Sequence, residues 1–473
     1  MAALRIRRQA TTPIGLDKRL NDMALDEVPD PRHSPNITYT LPALLKLILL
    51  SITSGAGAAR AAHRRSRQLK PQQLHALGLP NAVAHNTISE LLPRLSCYAL
   101  NLANEAFIKA EKRRGNLNPS GGLPFHVVAI DGKCLMIYKW HHLVHLTRTT
   151  WRKIHKAHPI HVIHPPFDAQ DREPHVFEVY CLLTCYFHDV QLVCPSQGLP
   201  YGKLMVHRAT LVSTKAAVGL MQRSIYALTN EMGMLLSTLQ SVLVAFGQTD
   251  LCSMFVMDAG NSCLKGADWL RAHRREYFMT IKANHGQLFK HAVEVLGDAE
   301  HPKRRADLTM REHRGGKDVL YRVWQTPLDK GFGAWTHARQ LVRVERIVAG
   351  DQAADISVGN RYYVSSKPMV ELSPSVGLRL SRVYWRCENE GHWTADAVLE
   401  EDTLKGRLSK HPVGVVVAGW LRMMAQNVLA VLRSLSRTDA KGTRPSWKET
   451  MEYVLVSYFD HALDTSRFDA VEV

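Results

Sequence analysis

The chain is short of acid. Its 473 residues carry 43 Asp and Glu against 60 Lys and Arg, a formal net charge of +17. A surplus of that size favours a polyanionic partner, nucleic acid first, over a surface charged only for solubility. The excess is uneven: residues 1–75 hold twelve basic residues against five acidic ones. Further basic clusters stand at Lys112-Arg113-Arg114 and Lys303-Arg304-Arg305. Paired cysteines are also lacking. The eight cysteines (97, 134, 181, 185, 194, 252, 263 and 387) contain no Cys-x-x-Cys, and Cys181 and Cys185 have no matching second pair. The usual structural-zinc spacings are therefore excluded, and buried free thiols in a reducing compartment are expected. No uninterrupted apolar run reaches the ~20 residues of a membrane span. Residues 41–52 are broken by Lys46, and residues 412–421 are followed at once by Arg422. The first eight residues lack the apolar core of a signal peptide. The expectation is a cytoplasmic protein, nucleoid-associated when it acts, with no membrane partner.

The 45% hydrophobic and 22% charged content is that of a soluble globular protein, and the length implies two or three domains. Residues 36 to about 115 read as helical. Thr40 can cap a helix with Pro42 in its first turn and Leu41, Leu44, Leu45, Ile48, Leu49 and Ile52 on one face. Gly55 and Gly57 break it, and a second helix carries Arg60, Arg64, Arg65 and Arg67. Thr87-Ile88-Ser89-Glu90 fits a capping box, with Ile88, Leu91, Leu92 and Leu95 as the apolar face behind it. Short helices with a basic middle one suit a DNA-binding bundle, and a plain packing domain suits the same pattern. Residues 116–122 form a linker rich in Asn and Gly.

Beyond the linker, residues 126–130 are continuously apolar, as in a strand buried on both faces. Residues 176–187 and 190–195 read as the next strands, and 214–235 as a helix. A strand then ends at Asp258, followed by a helix at 267–275 and a strand at 277–282. Such alternation implies a mixed α/β core. Residues 297–361 read as a β-rich insertion, and the chain is helical again through Glu388, over 413–435 and over 447–459. Residues 140–175 hold eight histidines with few acids, a pattern closer to a surface loop than to a metal-ligand set. The boundaries drawn are 1–118, a basic helical domain; 122–296, the first part of the core; 297–361, the insertion; 362–440, the second part; and 441–473, a closing helix and tail.

No Ser/His/Asp or Cys/His set points to a protein nucleophile. Carboxylates do suggest a chemistry. Asp131 follows one apolar run, Asp258 follows another, and Glu388 lies in a charged and aromatic stretch. Two strand-end aspartates and one helix-borne glutamate can hold two hard cations about 3.5–4 Å apart, the arrangement that phosphodiester chemistry needs. Oxygen donors favour Mg²⁺, with Mn²⁺ able to substitute, over zinc. Each piece also has a plain reading. Asp131-Gly132 can be a hairpin turn, Asp258 a strand exit, and Glu388 an ion-pair partner of Arg382 or Arg386.

Together the blocks resemble the DDE transposases of bacterial insertion sequences, particularly the H-repeat-associated branch. The resemblance rests on Ile130-Asp131-Gly132-Lys133, Met257-Asp258-Ala259, Tyr277 through Asn284, and Arg361-Tyr362-Tyr363-Val364-Ser365-Ser366. It closes on Arg382 through Trp393 and then Glu401-Asp402, spanning about 125–435 in matching order. A related branch has Arg where Tyr384 stands and Lys where Ala395 stands. The resemblance implies an RNase H-like mixed-sheet core with a β-rich insertion before the glutamate helix. It implies Asp131, Asp258 and Glu388 as catalytic metal ligands. Arg382, Tyr384, Trp385, Arg386 and Asn389 would contact DNA or brace the glutamate, and Lys282 would lie near the catalytic face. The implied partners are double-stranded DNA, as terminal inverted repeats and as target, and a second copy in a synaptic dimer. A metal-dependent nuclease without strand transfer, or a non-catalytic relic that still binds its repeats, would share much of this pattern.

Overall fold

The computed structural model describes residues 13–459 apart from 34–36, 120, 158–174, 214–215, 299–300, 302, 315, 350–355, 400, 402–407 and 440–441. The amino-terminal part is helical: α1 (Pro13–Asn21), α2 (Leu41–Thr53), α3 (Ala59–Gln68), α4 (Pro71–Ala76), α5 (His85–Leu91) and α6 (Cys97–Arg113). Helix α2 begins where the Thr40 and Pro42 signals place it, although Thr40 makes no side-chain cap. It is buried all round rather than on one face, as expected of a helix inside a large core. Gly55, at φ 85°, turns the chain out of α2 in the left-handed region that glycine tolerates. The capping box at Thr87 does not form. Helix α5 starts three residues earlier, after Ala84, and Thr87 lies inside it. The expected apolar face stands: Ile88, Leu91, Leu92 and Leu95 are buried.

The described strands form one sheet. They are β1 (Val127–Lys139), β2 (Val190–Val193), β3 (Tyr201–Val212), β4 (Ala217–Ser224), β5 (Met254–Met257) and β6 (Glu276–Ile281), then β7 (Leu308–Arg314), β8 (Lys317–Pro327), β9 (Gln340–Ala349) and β10 (Ile356–Ser365). Their order is β2-β3-β1-β5-β6-β10-β9-β8-β7, with β4 also on β3. Strand β3 is antiparallel to β1 and β4, whereas β1, β5 and β6 run parallel. The β-rich stretch after residue 297 thus continues the central sheet through β10 on β6. The fold class is mixed α/β.

The other helices are α7 (Trp140–Ala157), α8 (Val176–Tyr186), α9 (Glu231–Phe246), α10 (Leu264–Ala272), α11 (Gly286–Leu296) and α12 (Pro374–Arg386). Beyond a π-helical segment (Cys387–His392) follow α13 (Trp393–Ala397), α14 (Pro412–Leu435) and α15 (Trp447–Phe459). Alternation along β1 sorts them between two faces. Val127 and Ala129 pack with Leu378, Leu380 and Val383 of α12. Val128 and Ile130 pack in the larger cluster with Leu235 and Leu239 of α9. That cluster is continuous with α2, α6 and α14, so the amino-terminal helices share their core with the sheet.

Three assignments change. Residues 176–186 are a helix and not a strand, as their length favours, since buried strands usually run 4–8 residues. Residues 217–224 are strand β4, with Ala217 to Gln222 all buried, not the start of a helix. The histidine-rich stretch begins as helix α7 rather than a loop, and His158, His161 and His164 lie outside the described residues. Helix α14 is 24 residues long and apolar enough to cross a membrane by length and composition, running on past Arg422. It is wholly buried inside the protein. Two thiols, Cys185 and Cys194, are exposed rather than buried.

Candidate active site

The parallel pairing of β1 with β5 ends at Ile130 opposite Met257. The next residue on each strand is an aspartate, so Asp131 and Asp258 leave the paired segment as neighbours. Asp131 is not at a strand end, however. Strand β1 continues to Lys139 along β3, with Asp131 opposite Arg208 and Gly132 opposite His207. Only the parallel neighbour stops there, and the hairpin reading of Asp131-Gly132 falls. Asp258 opens the loop to α10, where its Oδ1 accepts from the Asn261 backbone N–H at 3.0 Å and the Asn261 side-chain amide at 3.2 Å. The turn after β6 is tied to the same loop. Asn284 Nδ2 donates to the Ala259 carbonyl at 3.2 Å, and a His285 ring nitrogen lies 2.9 Å from the Ser262 carbonyl. Lys282, at the start of that turn, is exposed.

Glu388 comes from the face that α12 covers. At Cys387 the helix widens into the π segment, which re-aims the side chains that follow and is often found at functional sites. Gln426 of α14 steadies the segment, donating from Nε2 to the Glu390 and Gly391 carbonyls at 3.2 and 2.8 Å. Glu388 is half-buried. Burial and the charge of Asp131 raise its carboxyl above the ordinary glutamate range, with Asp258 adding to them and Arg361 opposing. Burial, then Asp131 and Asp258, push the Tyr384 phenol well above its usual value. Burial and then Asp131 carry the Cys387 thiol to about 12. The fold thus brings Asp131, Asp258 and Glu388 into one another's fields. The ion-pair reading of Glu388 does not hold as drawn: Arg382 pairs with Glu312 and Arg386 with Glu390, each at 2.8 Å. Asp131 Oδ2 lies 3.3 Å from His392 Nδ1.

Two further residues, Glu231 and His207, belong to this cluster and escaped the sequence. Glu231, first residue of α9, lies in the fields of Asp131 and Asp258. Burial and those two charges raise its carboxyl, and the Asn261 amide, donating to Oε2 at 3.2 Å, opposes them. Its carboxylate lies directly against Gly132. Reading 214–235 as one helix puts Glu231 near its carboxyl end, where an acid does not mark a helix start. The true helix start is marked by Asn230, whose side chain caps Gly233. Behind Asn261 stands His207, fully buried, 3.0 Å from Asn261 Oδ1 and 3.0 Å from Thr238 Oγ1. With its Nε2 proton donated to Asn261, the amide is held with its N–H groups toward both carboxylates.

Burial drops the His207 pKa to about 4, against the pull of Asn261, Asp131 and Asp258. The unfolded value is ~6.5, so the neutral ring favours the fold. That contribution is complete above pH ~6.5 and drains as pH falls toward about 4. At ~1.4 kcal/mol per unit the loss is about 3 kcal/mol. Denaturant titrations from pH 7.5 to 4 should show the wild type losing about that much more stability than His207→Gln. Parallel losses would remove His207 as a source of acid lability.

Among the described residues, no three His, Cys, Asp or Glu side chains converge on one point as they would around a metal ion. The donors themselves are all carboxylate oxygens, the set that a hard divalent cation takes. Beside Glu388, a cleft of about 430 Å³ lies between α12 and strands β8 to β10. Arg346, Arg361, Arg382 and Arg386 line it with Tyr321, Trp385 and Asn389. The Arg361 guanidinium stacks on Trp385 at 4.1 Å, and Arg382 lies over Tyr321 at 5.3 Å. Arg346 and Asn389 are exposed. On α3, Arg60, Arg64 and Arg67 are exposed along one face, while Arg65 is half-buried and bonded to the Ser54 carbonyl and Gln68.

No family model and no curated protein matches this chain. Among solved structures, it is similar to a piggyBac transposase in a synaptic complex with hairpin DNA. The TM-score is 0.37 at 11% identity, over 97% of this chain and 80% of that one. A likeness of that size carries no argument about function. What the site offers by itself is a set of carboxylates beside the carboxyl end of β5 in mid-sheet, flanked by an arginine and aromatic cleft.

Proposed function

We propose that this chain is a DNA transposase that cuts and joins phosphodiesters with divalent metal held by Asp131, Asp258 and Glu388. The observation that supports the reading is that Asp131 and Asp258 leave neighbouring parallel strands side by side where β5 stops pairing with β1, and that both charges act on the carboxyl of Glu388, 130 residues beyond Asp258 in sequence. The order β4-β3-β1-β5-β6, antiparallel then parallel, supports an RNase H-like core, and the block-by-block resemblance supports the H-repeat-associated branch. When bound, Mg²⁺ or Mn²⁺ would activate the attacking oxygen and stabilise the departing 3′ oxygen. The Asn261 amide, oriented by His207, holds Asp258 in place. Gln426 holds the segment that carries Glu388. The cleft arginines would take DNA phosphates, with Trp385 a surface for stacking. The arginine face of α3 would grip the terminal repeats, and a dimer would pair two ends.

The deciding experiment incubates purified protein with labelled DNA carrying the gene's own flanking ends, with Mg²⁺ or with EDTA. Metal-dependent nicking at the boundary followed by joined products is the expected result. Nicking without joining would make the chain a nuclease, and binding without nicking under any divalent metal would make it a relic or regulator. The phosphate contacts have their own signature. Arg346→Ala should weaken binding to unrelated duplexes and lower the slope of log affinity against log salt by about 1. The Arg60, Arg64 and Arg67 triple alanine variant should lower it by about 3. Unchanged slopes would take either surface out of the DNA interface.

A further inference from the structure

Helix α7 follows β1 with no linking residue. Its 18 residues contain no Asp or Glu, against two Arg, two Lys and four His. One side is fixed to the sheet. Trp140, Leu143, Val144 and Thr147 are buried, and Gly202 of β3 lacks the Cβ that would come within 2.9 Å of Leu143 Cδ2. Another side faces outward. His141, His145 and Arg152 are exposed and Arg148 is half-buried. Their spacing of i, i+4, i+7 and i+11 puts all four on one stripe of the helix. Glu178, the acid of the neighbouring α8, accepts from the His175 backbone N–H at 3.0 Å at the start of its own helix.

A helix docked by one face and without acid on the rest has the charge to meet a polyanion, and the stripe has the length for a duplex backbone. From His141 to Arg152 it runs ~16 Å at 1.5 Å per residue. That covers about five phosphates of one DNA strand, spaced ~3.4 Å along the axis. Its place in the fold agrees. Lys139 stands eight residues beyond Asp131 on β1, within ~26 Å at about 3.3 Å per residue. A duplex seated at Asp131 and running along β1 would meet α7 about eight base pairs away, under one helical turn. We propose that α7 grips the phosphate backbone of the DNA about eight base pairs from the bond that is cut. The two arginines supply charge, and His141 and His145 each offer a ring N–H to a phosphate oxygen. No base is read. The inference rests on the DNA-acting reading above, and adds to the α3 face and the arginine cleft a contact carried on the first hairpin of the sheet.

The test measures binding of the full chain to a duplex of the gene's own flanking end over a series of salt concentrations, in EDTA so that no metal enters. Arg148→Ala with Arg152→Ala should lower the slope of log affinity against log salt by about 2, and Lys at both positions should restore it. Hydroxyl-radical footprinting should show protection about eight to thirteen base pairs from the element boundary, lost in the double alanine variant. A merely structural pair would lower the melting temperature and leave slope and footprint alone. Should the double variant fail to fold, Arg152→Ala at its exposed position should lower the slope by about 1. An unchanged slope in a folded variant, or protection that persists, would overturn the grip and leave the DNA reading standing. Wild-type binding that is absent or indifferent to salt would overturn the DNA reading and this inference with it. Variants that lose affinity for polyglutamate but not for the duplex would assign the face to an acidic protein, and the DNA assignment would fall.

Discussion

Asp258→Asn should lower metal-dependent DNA cleavage by more than ~100-fold and leave duplex binding within a few fold of wild type. The magnitude follows from the role proposed for the side chain. Losing a group that merely orients a metal ligand costs ~10–100-fold, and losing the ligand itself should cost more. The amide of Asn is close to isosteric with the carboxylate, so the loop can keep its hydrogen bonds to the Asp258 carbonyl and much of its shape. Binding is dominated by phosphate contacts, and those are offered by arginines on α3 and around the cleft, away from Asp258. Glu388→Gln should behave alike, and its melting temperature in EDTA should not fall. The folded-state carboxyl of Glu388 is raised above its ordinary value. Its ionisation at neutral pH therefore opposes folding, and stability from this group is lost as pH rises through the raised value. Single-turnover cleavage and electrophoretic binding assays, run side by side, check both variants. Full cleavage by Asp258→Asn would take that residue out of the site.

The second large effect is on stability. Glu401→Gln should cost about 3–5 kcal/mol, the range for leaving one member of a buried ion pair uncompensated. Arg208 is buried on β3 and bonds both Glu401 oxygens, at 3.0 and 2.7 Å, while sharing Gln222 Oε1 at 2.9 and 2.7 Å. Burial would raise the Glu401 carboxyl, but Arg208, with Lys133 and Arg422 beyond it, holds it below the ordinary glutamate value. Arg208 also stands opposite Asp131 across the β1–β3 ladder. The pair thus clamps the chain just beyond Glu388 to the strand beside Asp131, so cleavage should fall together with stability. Denaturant melts give the first number and the cleavage assay the second. A loss under about 1 kcal/mol, the scale of an exposed pair, would show that the pair is not the clamp described. Replacing both partners with apolar residues should recover much of the loss, since a well-packed apolar pair can match a buried ion pair.

Several features were legible in the residues. The continuous apolar runs before Asp131 and Asp258 are strands β1 and β5, because a strand covered on both faces has no polar alternation to hide in. The start of α2 is marked by Pro42 in its first turn, while Thr40 takes the cap position without a side-chain bond. The run at 176–186, apolar or aromatic but for Glu178 and Thr184, looks strand-like in composition, and only its length, beyond the 4–8 residues of a usual strand, points to the helix. Strand β4 was hidden for a related reason. With Ala217 to Gln222 buried in succession, it shows no period of two. Once β4 was lost inside a supposed helix, the cap at Asn230 and the acid at Glu231 lost their meaning as well.

The sequence by itself determined the charge balance and the apolar segments that must be buried. Local period and residue type are enough for those, because each depends on neighbours within a few positions. Which charges meet was decided only by the tertiary structure. Arg361 rather than Arg382 or Arg386 acts on Glu388, Arg208 finds Glu401 across 193 positions, and Glu231 settles against Gly132. Those meetings depend on strand register and on which face a helix covers. A register shift of one residue would send every side chain to the opposite face, and no local pattern records which register wins.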